Sequence, residues 1–321
     1  MKKINLLDQI DFSLTFCHEM VENNGEDACF SQVSDKYAAA CVFDGCGGLG
    51  SKNYAAFGGK TGAYMASRLV SGATQGWFST LSPEHLRIED YRRFLDFAYE
   101  TVNRYADTSG PVIKGSMKKA FATTIVSSIL SVSNNAVYAD FFWAGDSRGY
   151  VLDDKGLHQV TVDDIEGEDA LSNLSGDGVL TNVAFYGGSY DIHSKKIALP
   201  EKCLVFSATD GCFGYLPTPM DFEHLLLDTL LHSDSAITWG KKLEEKLGKI
   251  AGDDYTLSML AVGFGDFSSL KRYFYQRAGE LQNEYIKKLE DVSEDEKVAL
   301  WNKYKTDYYS ISPEADLLSA K

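Results

Sequence analysis

Short apolar runs alternate with acidic and glycine-rich turns along most of the chain. Residues 37–43 form one such run and stop at Asp44-Gly45. From Thr123 the pattern continues through Ile125, Val126, Ile129 and Leu130 to Asn134-Asn135, then resumes over residues 136–144. Gly145-Asp146-Ser147 makes the next turn, and Asp153-Asp154-Lys155-Gly156 another, before residues 157–162. Residues 204–208 end at Asp210-Gly211, and residues 255–264 read as a closing strand. Runs of this length divided by Asn, Asp and Gly turns predict an antiparallel meander.

Helical spacing interrupts that pattern. Residues 61–70 place apolar side chains at helical intervals. Ser82-Pro83-Glu84 supplies a cap, a first-turn proline and an early acid, predicting a helix that runs towards Tyr105. Residues 221–231 and 237–250 predict a second helical pair. Grouped strands with helices between them predict an α+β layered fold. From Asp266 the composition changes: residues 270–289 and 296–309 are charged, aromatic and amphipathic, and Ser293 with Glu296 has capping-box spacing. The expected division is a body over residues 1–265 and a helical C-terminal extension over residues 266–321. Tyr273, Phe274, Tyr275 and Tyr285 would serve that extension either in docking on the body or in meeting a partner.

Composition narrows the function classes. The 321 residues are 44% hydrophobic and 24% charged, which is ordinary for a globular chain. A net charge of −15 disfavours nucleic acid as a partner and adds to any carboxylate-rich cation site, although solubility alone accounts for much of it. The six cysteines show neither C-x-x-C spacing nor a zinc-like set with histidines. The apolar start is broken by Asp8, too early for a signal peptide, and no run of about 18 apolar residues exists to span a membrane. A reducing cytoplasm is the expected setting.

The chemistry lies in acids at strand ends. A strand fixes the backbone so that an aspartate at its end projects into the cleft beyond, and a following glycine allows a sharp turn. The chain does this at Asp44-Gly45 and Asp210-Gly211, with Glu26-Asp27 before the first of those strands and Asp253-Asp254 before the last. Carboxylates, carbonyls and water, without His or Cys, make the ligand set of Mg²⁺ or Mn²⁺. Any one pair alone reads as an ordinary turn or solvated surface.

Taken in order, the segments resemble the type 2C metal-dependent protein phosphatases. The resemblance runs through Asn24-Gly25-Glu26-Asp27-Ala28 and Val42-Phe43-Asp44-Gly45-Cys46-Gly47-Gly48, then Ala122-Thr123-Thr124. It continues in Ala144-Gly145-Asp146-Ser147-Arg148-Gly149-Tyr150, Thr161-Val162-Asp163 and Val179-Leu180-Thr181-Asn182, and closes with Ser207-Ala208-Thr209-Asp210-Gly211 and Asp253-Asp254-Tyr255-Thr256. It covers residues 10–265. It implies a four-layer α-β-β-α sandwich, two antiparallel sheets flanked by helices, with two Mn²⁺ or Mg²⁺ ions at one edge. Asp44 would bridge both ions, Asp210 and Asp253 would hold the first, and Glu26 with the Gly45 carbonyl the second. Asp27 would orient the attacking water. Asp146 has two readings, a ligand with Asp210 of a third, looser ion and a plain hairpin-turn residue.

The implied reaction is hydrolysis of phosphoserine or phosphothreonine by a metal-bridging water, with no phosphoenzyme, so that Cys46 and Cys212 pack rather than attack. The implied partners are a phosphoprotein and a cognate Ser/Thr kinase. Three departures stand out. Glu22 occupies the place of a phosphate-gripping arginine, for which Lys52 or Lys60 would be the substitutes. Cys46 stands where some members have a histidine. The segment over residues 163–181, where bacterial-type members carry a flap, is short, with Asp163-Asp164 in place of Asp-His. The lost arginine motivates one rival, a binding pseudophosphatase; a small-phosphoester hydrolase, whose metal site would look identical, is the other.

Overall fold

The computed structural model describes residues 5–104, 120–167, 169–174, 178–290 and 292–313; the expected helix end at Tyr105, parts of the 163–181 segment and the last stretch of the extension lie outside them. Strands β1 (Ile10–His18), β2 (Ala28–Val33) and β3 (Tyr37–Phe43) come first, followed by a small ribbon, β4 (Asn53–Tyr54) with β5 (Lys60–Thr61). Helices α1 (Gly62–Ser79) and α2 (Ile88–Asn103) follow. Next come β6 (Ala120–Thr123), β7 (Ile125–Ser133), β8 (Ala136–Ala144), β9 (Arg148–Asp153) and β10 (Gly156–Gln159). After β11 (Ala184–Tyr186), β12 (His193–Ala198) and β13 (Cys203–Ala208) lie α3 (Pro219–Leu231), α4 (Ala236–Leu247) and β14 (Tyr255–Val262).

Two five-stranded antiparallel sheets result, ordered β1-β14-β13-β9-β10 and β12-β8-β7-β3-β2. The architecture is the expected α+β sandwich. β3 shows why the sheets stack: all seven of its residues are buried. Its period of two sends Ala38, Ala40 and Val42 between the sheets and Ala39, Cys41 and Phe43 towards α1 and α2. Val126, Phe141, Val151, Val205 and Leu260 complete the inter-sheet layer. There Ser207 donates to the Ala40 carbonyl at 2.8 Å and meets the Ser128 hydroxyl at 2.9 Å, so these buried hydroxyls are bonded across the sheets. On the far face, Trp77 of α1 stacks on Tyr91 of α2 at 4.4 Å.

Several boundaries differ from the sequence expectation. α1 runs on to Ser79 because Ala73, Thr74, Trp77 and Phe78 continue its buried face. Ser82-Pro83-Glu84 does not open a helix: the amides of His85 and Leu86 both donate to the Ser82 carbonyl at 3.0 and 3.1 Å, closing one isolated turn. Trp77 Nε1 then binds the His85 carbonyl at 3.1 Å, and α2 begins after an extended Arg87, with Glu89 and Asp90 in its first turn. α3 starts at Pro219, capped by the Thr218 hydroxyl, ahead of the expected Asp221. Strands β1, β2 and β12 were not anticipated.

The extension is helical and packs on the body. α5 (Phe267–Leu281) passes through a π-turn, Gln282–Ile286, into a last short turn, α6 (Lys287–Leu289), before α7 (Glu294–Tyr308). The Ser293–Glu296 capping box is formed in both directions. Phe274, Leu281, Tyr285, Trp301, Tyr304 and Tyr308 join one core with Tyr150, Phe206 and Phe222. Tyr275 alone of the four expected aromatics stands out in solvent, 73% exposed. Within this core Glu223 is fully buried and accepts a bidentate pair of bonds from Arg277 at 2.7 and 2.8 Å, plus the Tyr304 hydroxyl at 2.5 Å.

Removing one partner of this network leaves a buried charge unmatched. Arg277→Met should destabilise the chain by about 3–5 kcal/mol in urea unfolding, whereas Glu223→Leu combined with Arg277→Met should restore most of the loss. Equal destabilisation by the single and double substitutions would count against a buried-charge origin.

Candidate metal centre

Antiparallel pairing brings the acidic motifs to one edge. β13 ends where β9 and β14 begin, since Ala208 lies opposite both Arg148 and Leu257. β3 ends where β2 begins, with Phe43 opposite Ala28. The turns that carry Asp44, Asp210, Asp146, Asp253 and the Glu26-Asp27 pair therefore open at the same end of the sandwich. Loci separated by up to 227 residues in the chain (Glu26 to Asp253) become neighbours through strand direction alone.

Asp44 is half-buried at the end of β3. Its backbone is clamped: its amide donates to Thr124 Oγ1 at 3.0 Å, and its carbonyl accepts the Thr124 amide at 2.8 Å and the Thr123 hydroxyl at 2.7 Å. Thr124 Oγ1 in turn meets the Ser147 hydroxyl at 2.7 Å, tying the Asp44 turn to the Asp146 turn. Burial pushes the Asp44 carboxyl well above the usual carboxylate range, and the nearby Asp210, Asp27 and Asp146 add to the rise. Burial raises Asp210 as well, and Asp253 adds to the rise. Asp146 is pushed up to about 8 by burial, then by Asp210 and Asp163.

Gly45 is required by space. A Cβ there would lie 2.5 Å from the Ala63 carbonyl and 2.7 Å from the Glu26 carbonyl, which accepts the Gly45 amide at 3.2 Å. Glu26 bonds the Thr61 hydroxyl at the cap of α1, its second carboxylate oxygen fills the space beside Gly47, and burial raises its pKa. Asp27 is 2% exposed, bonded by the Thr209 hydroxyl at 2.9 Å, and raised well above the usual range chiefly by burial. Asp253 is exposed at the rim; its surroundings still raise it, with Asp254 adding to the rise. Cys46 and Cys212 are both buried, their thiols directed at the carbonyls of Asp44 and Thr256.

Other residues prove to organise the edge. Asp254 accepts the amides of Glu26 at 2.6 Å and Met20 at 2.8 Å, latching the β1–β2 loop. Arg148, 2% exposed, is paired with Asp163 through Nε at 3.0 and 3.1 Å and a terminal nitrogen at 2.6 Å, and lies over the Phe213 ring at 4.2 Å. Asp164 accepts the Gly145 amide at 2.9 Å, Asn182 at 2.7 Å, and a bond with His193 at 3.0 Å, fixing the turn that carries Asp146. Tyr215, half exposed, has its hydroxyl pKa raised by burial and by Asp253, Asp210 and Asp44, which puts it at the rim. Asp254, Arg148 and the Asp163-Asp164 pair lie in motifs the sequence marks, but the bonds they make here join segments apart in the chain. Glu22 is exposed; Lys60 is turned to the Asn23 carbonyl and the Tyr64 ring, and Lys52 to the Tyr54 ring.

The edge fits a hard divalent cation in donor chemistry: all its side-chain donors are oxygens, and mutual repulsion among Asp44, Asp210 and Asp146 is what a cation relieves. As placed, among the described residues, no three His, Cys, Asp or Glu side chains enclose one ion.

No protein-family profile matches the chain, and no curated protein matches it. Solved structures do share its fold. The serine/threonine phosphatase Stp1 from Staphylococcus aureus is 16% identical with a TM-score of 0.58, covering 78% of this chain and 94% of its own. The Mycobacterium tuberculosis phosphatase PstP is 16% identical with a TM-score of 0.55, over 78% of this chain and 97% of its own. A catalytic domain of PstP in complex with two manganese ions gives a TM-score of 0.53 at 16% identity, over 79% and 99%. At this identity the likeness establishes the fold.

The raised acids set a pH dependence for the metal-free chain. Asp146 titrates near 3.8 when unperturbed and at about 8 in the fold, so between these values the folded carboxyl keeps a proton that the unfolded one has lost. Its contribution therefore falls as pH rises through that window. With chelator present, thermal unfolding from pH 5 to 8 should decline less steeply for Asp146→Asn than for the parent. Parallel declines would show that Asp146 titrates alike in both states.

Proposed function

We propose that this chain is a phosphatase dependent on Mn²⁺ or Mg²⁺ that hydrolyses phosphoserine and phosphothreonine in proteins. The observation that carries the reading is the convergence of Asp44, Asp210 and Asp146 on one sandwich edge, where burial first and neighbouring carboxylates second raise their pKa values. The fold shared with bacterial phosphatases adds support. In this reading Asp44, Asp210 and Asp253, together with Glu26 and the Gly45 carbonyl, would hold two ions. Asp146 with Asp210 takes a third, looser ion. When bound, the ions supply hydroxide near neutral pH and neutralise charge on the phosphoryl oxygens.

The residues of the chain then orient and hold. Asp27, fixed by Thr209, orients the attacking water from below the cluster. Thr123 and Thr124 keep the Asp44 backbone from moving as charge develops. The buried setting of Cys46 and Cys212 supports packing rather than nucleophilic attack. All six cysteines are free, in keeping with a reducing cytoplasm. Among the described residues, no helix is long and apolar enough to cross a membrane. The substrate would be made by a Ser/Thr kinase.

A second reading, a pseudophosphatase that binds a partner, is favoured by Glu22 standing exposed where a phosphate grip would be and by the lack of a three-ligand cage among the described residues. Two measurements separate the readings. Phosphate release from a phosphothreonine peptide should require Mn²⁺ or Mg²⁺ and drop by at least about 100-fold in Asp44→Asn. Calorimetric titration should show Mn²⁺ binding that the same substitution weakens. A chain that binds no Mn²⁺ and releases no phosphate is the pseudophosphatase; turnover of aryl phosphate alone, without the peptide, points to small phosphoesters.

A further inference from the structure

The helix farthest along the chain reaches the acidic edge by two bonded paths. In the first, the buried Tyr308 hydroxyl of α7 donates to Gln159 Oε1 at 2.9 Å. Gln159 Nε2 donates to Asp163 Oδ1 at 2.9 Å and to the Thr161 carbonyl at 2.9 Å. Asp163 then grips Arg148, two residues from Asp146 and stacked on Phe213, three residues from Asp210. Both Gln159 and Arg148 are 2% exposed, so these bonds lie in a shielded setting.

In the second path α7 holds a loop. Trp301 Nε1 donates to Asp169 Oδ2 at 2.7 Å, and Lys305 approaches the same oxygen at 3.5 Å. The Tyr309 hydroxyl accepts the Ala170 amide at 2.7 Å. Asp169 Oδ1 accepts the amides of Leu171 and Ser172 at 3.1 Å each, shaping the turn Ser172–Leu174. From that turn Asn173 Nδ2 donates to Asp163 Oδ2 at 2.8 Å. The two paths therefore meet on one carboxylate, Asp163, from opposite sides.

We propose that α7 is a positioning element of the acidic edge: Tyr308 and Trp301 set the Asp163–Arg148 pair and the loop over residues 169–174 against the turn that carries Asp146. Its consequence for turnover rests on the phosphatase reading; the coupling itself does not. Burial alone would need only apolar contact. Instead α7 and its C-cap residue commit three aromatic polar atoms, on Trp301, Tyr308 and Tyr309, to this one segment and to Gln159. No side chain of α7 need touch substrate; its action passes through Asp163.

The test uses the full chain. Tyr308→Phe removes only the hydroxyl that Gln159 accepts, and Trp301→Phe removes the indole donor to Asp169. Lys303→Ala cuts the surface pair with Glu284 on the same helix and serves as control. Hydrogen–deuterium exchange across residues 160–174 should quicken by about fivefold in the first two variants and not in the control, the scale of one buried hydrogen bond. The Mn²⁺ concentration for half-maximal aryl-phosphate hydrolysis should rise by a similar factor in Tyr308→Phe and hold in Lys303→Ala. Unchanged exchange in both aromatic variants overturns the proposal whatever the activity. Exchange that quickens in a chain whose parent form shows no turnover upholds the coupling and refutes the phosphatase reading instead. Shifts that merely follow thermal stability in all three variants reduce α7 to packing, and also overturn it.

Discussion

Everything at the functional edge follows from holding several carboxylates closer than they would sit by choice. Like charges in a shielded setting repel strongly, and a flexible chain would let them part. Here each acid stands within two residues of a strand end. The antiparallel registers of β2, β3, β9, β13 and β14 leave the backbone little room to retreat. The rigidity of the sandwich is thus part of the chemistry, because the repulsion is stored by the sheets and not relaxed by the loops.

Around the acids runs a collar of neutral hydroxyls and one buried cation. Thr61, Thr123, Thr124, Ser147 and Thr209 each bond an acidic residue's side chain, its backbone, or a neighbour of one. They place the acids without cancelling their charge, which keeps the edge attractive to a cation. Arg148 is different: its charge is already matched by Asp163, so it contributes shape and a fixed field more than free positive charge. An unmatched arginine in its place would compete with any metal for Asp146 and Asp210.

How much could be read in advance divides by distance along the chain. Asp44-Gly45 and Asp210-Gly211 were legible because a strand end and its turn are local features. So was the Ser293–Glu296 box, whose bonds span three residues. Ser82-Pro83-Glu84 misled for the same reason in reverse. Its local signature is that of a helix start, but Trp77 takes the His85 carbonyl and the turn ends there. Phe12, Leu14 and Phe16 alternate as a strand should, yet their weight shows only once β14 lies alongside. Asp254 looked like the spare half of an acidic pair, and its latch on Glu26 reaches 228 positions back. The Tyr308–Gln159 bond spans 149 positions and had no signature at all.

The pairing of β1 with β14 also orders the events by which the molecule comes together. The sheet ordered β12-β8-β7-β3-β2 has all its strands by residue 198, whereas the other joins Ile10–His18 to Tyr255–Val262 and cannot close earlier in synthesis. Contacts of such long range form slowly, because a large loop must be closed before they give anything back. Glu26, Asp27 and Asp44 can therefore be gathered on one finished sheet while Asp210 and Asp253 are still arriving. The last stage of folding therefore brings negative charge towards negative charge, and the meeting of the two sheets, more than the building of either, is where the acids weigh on assembly.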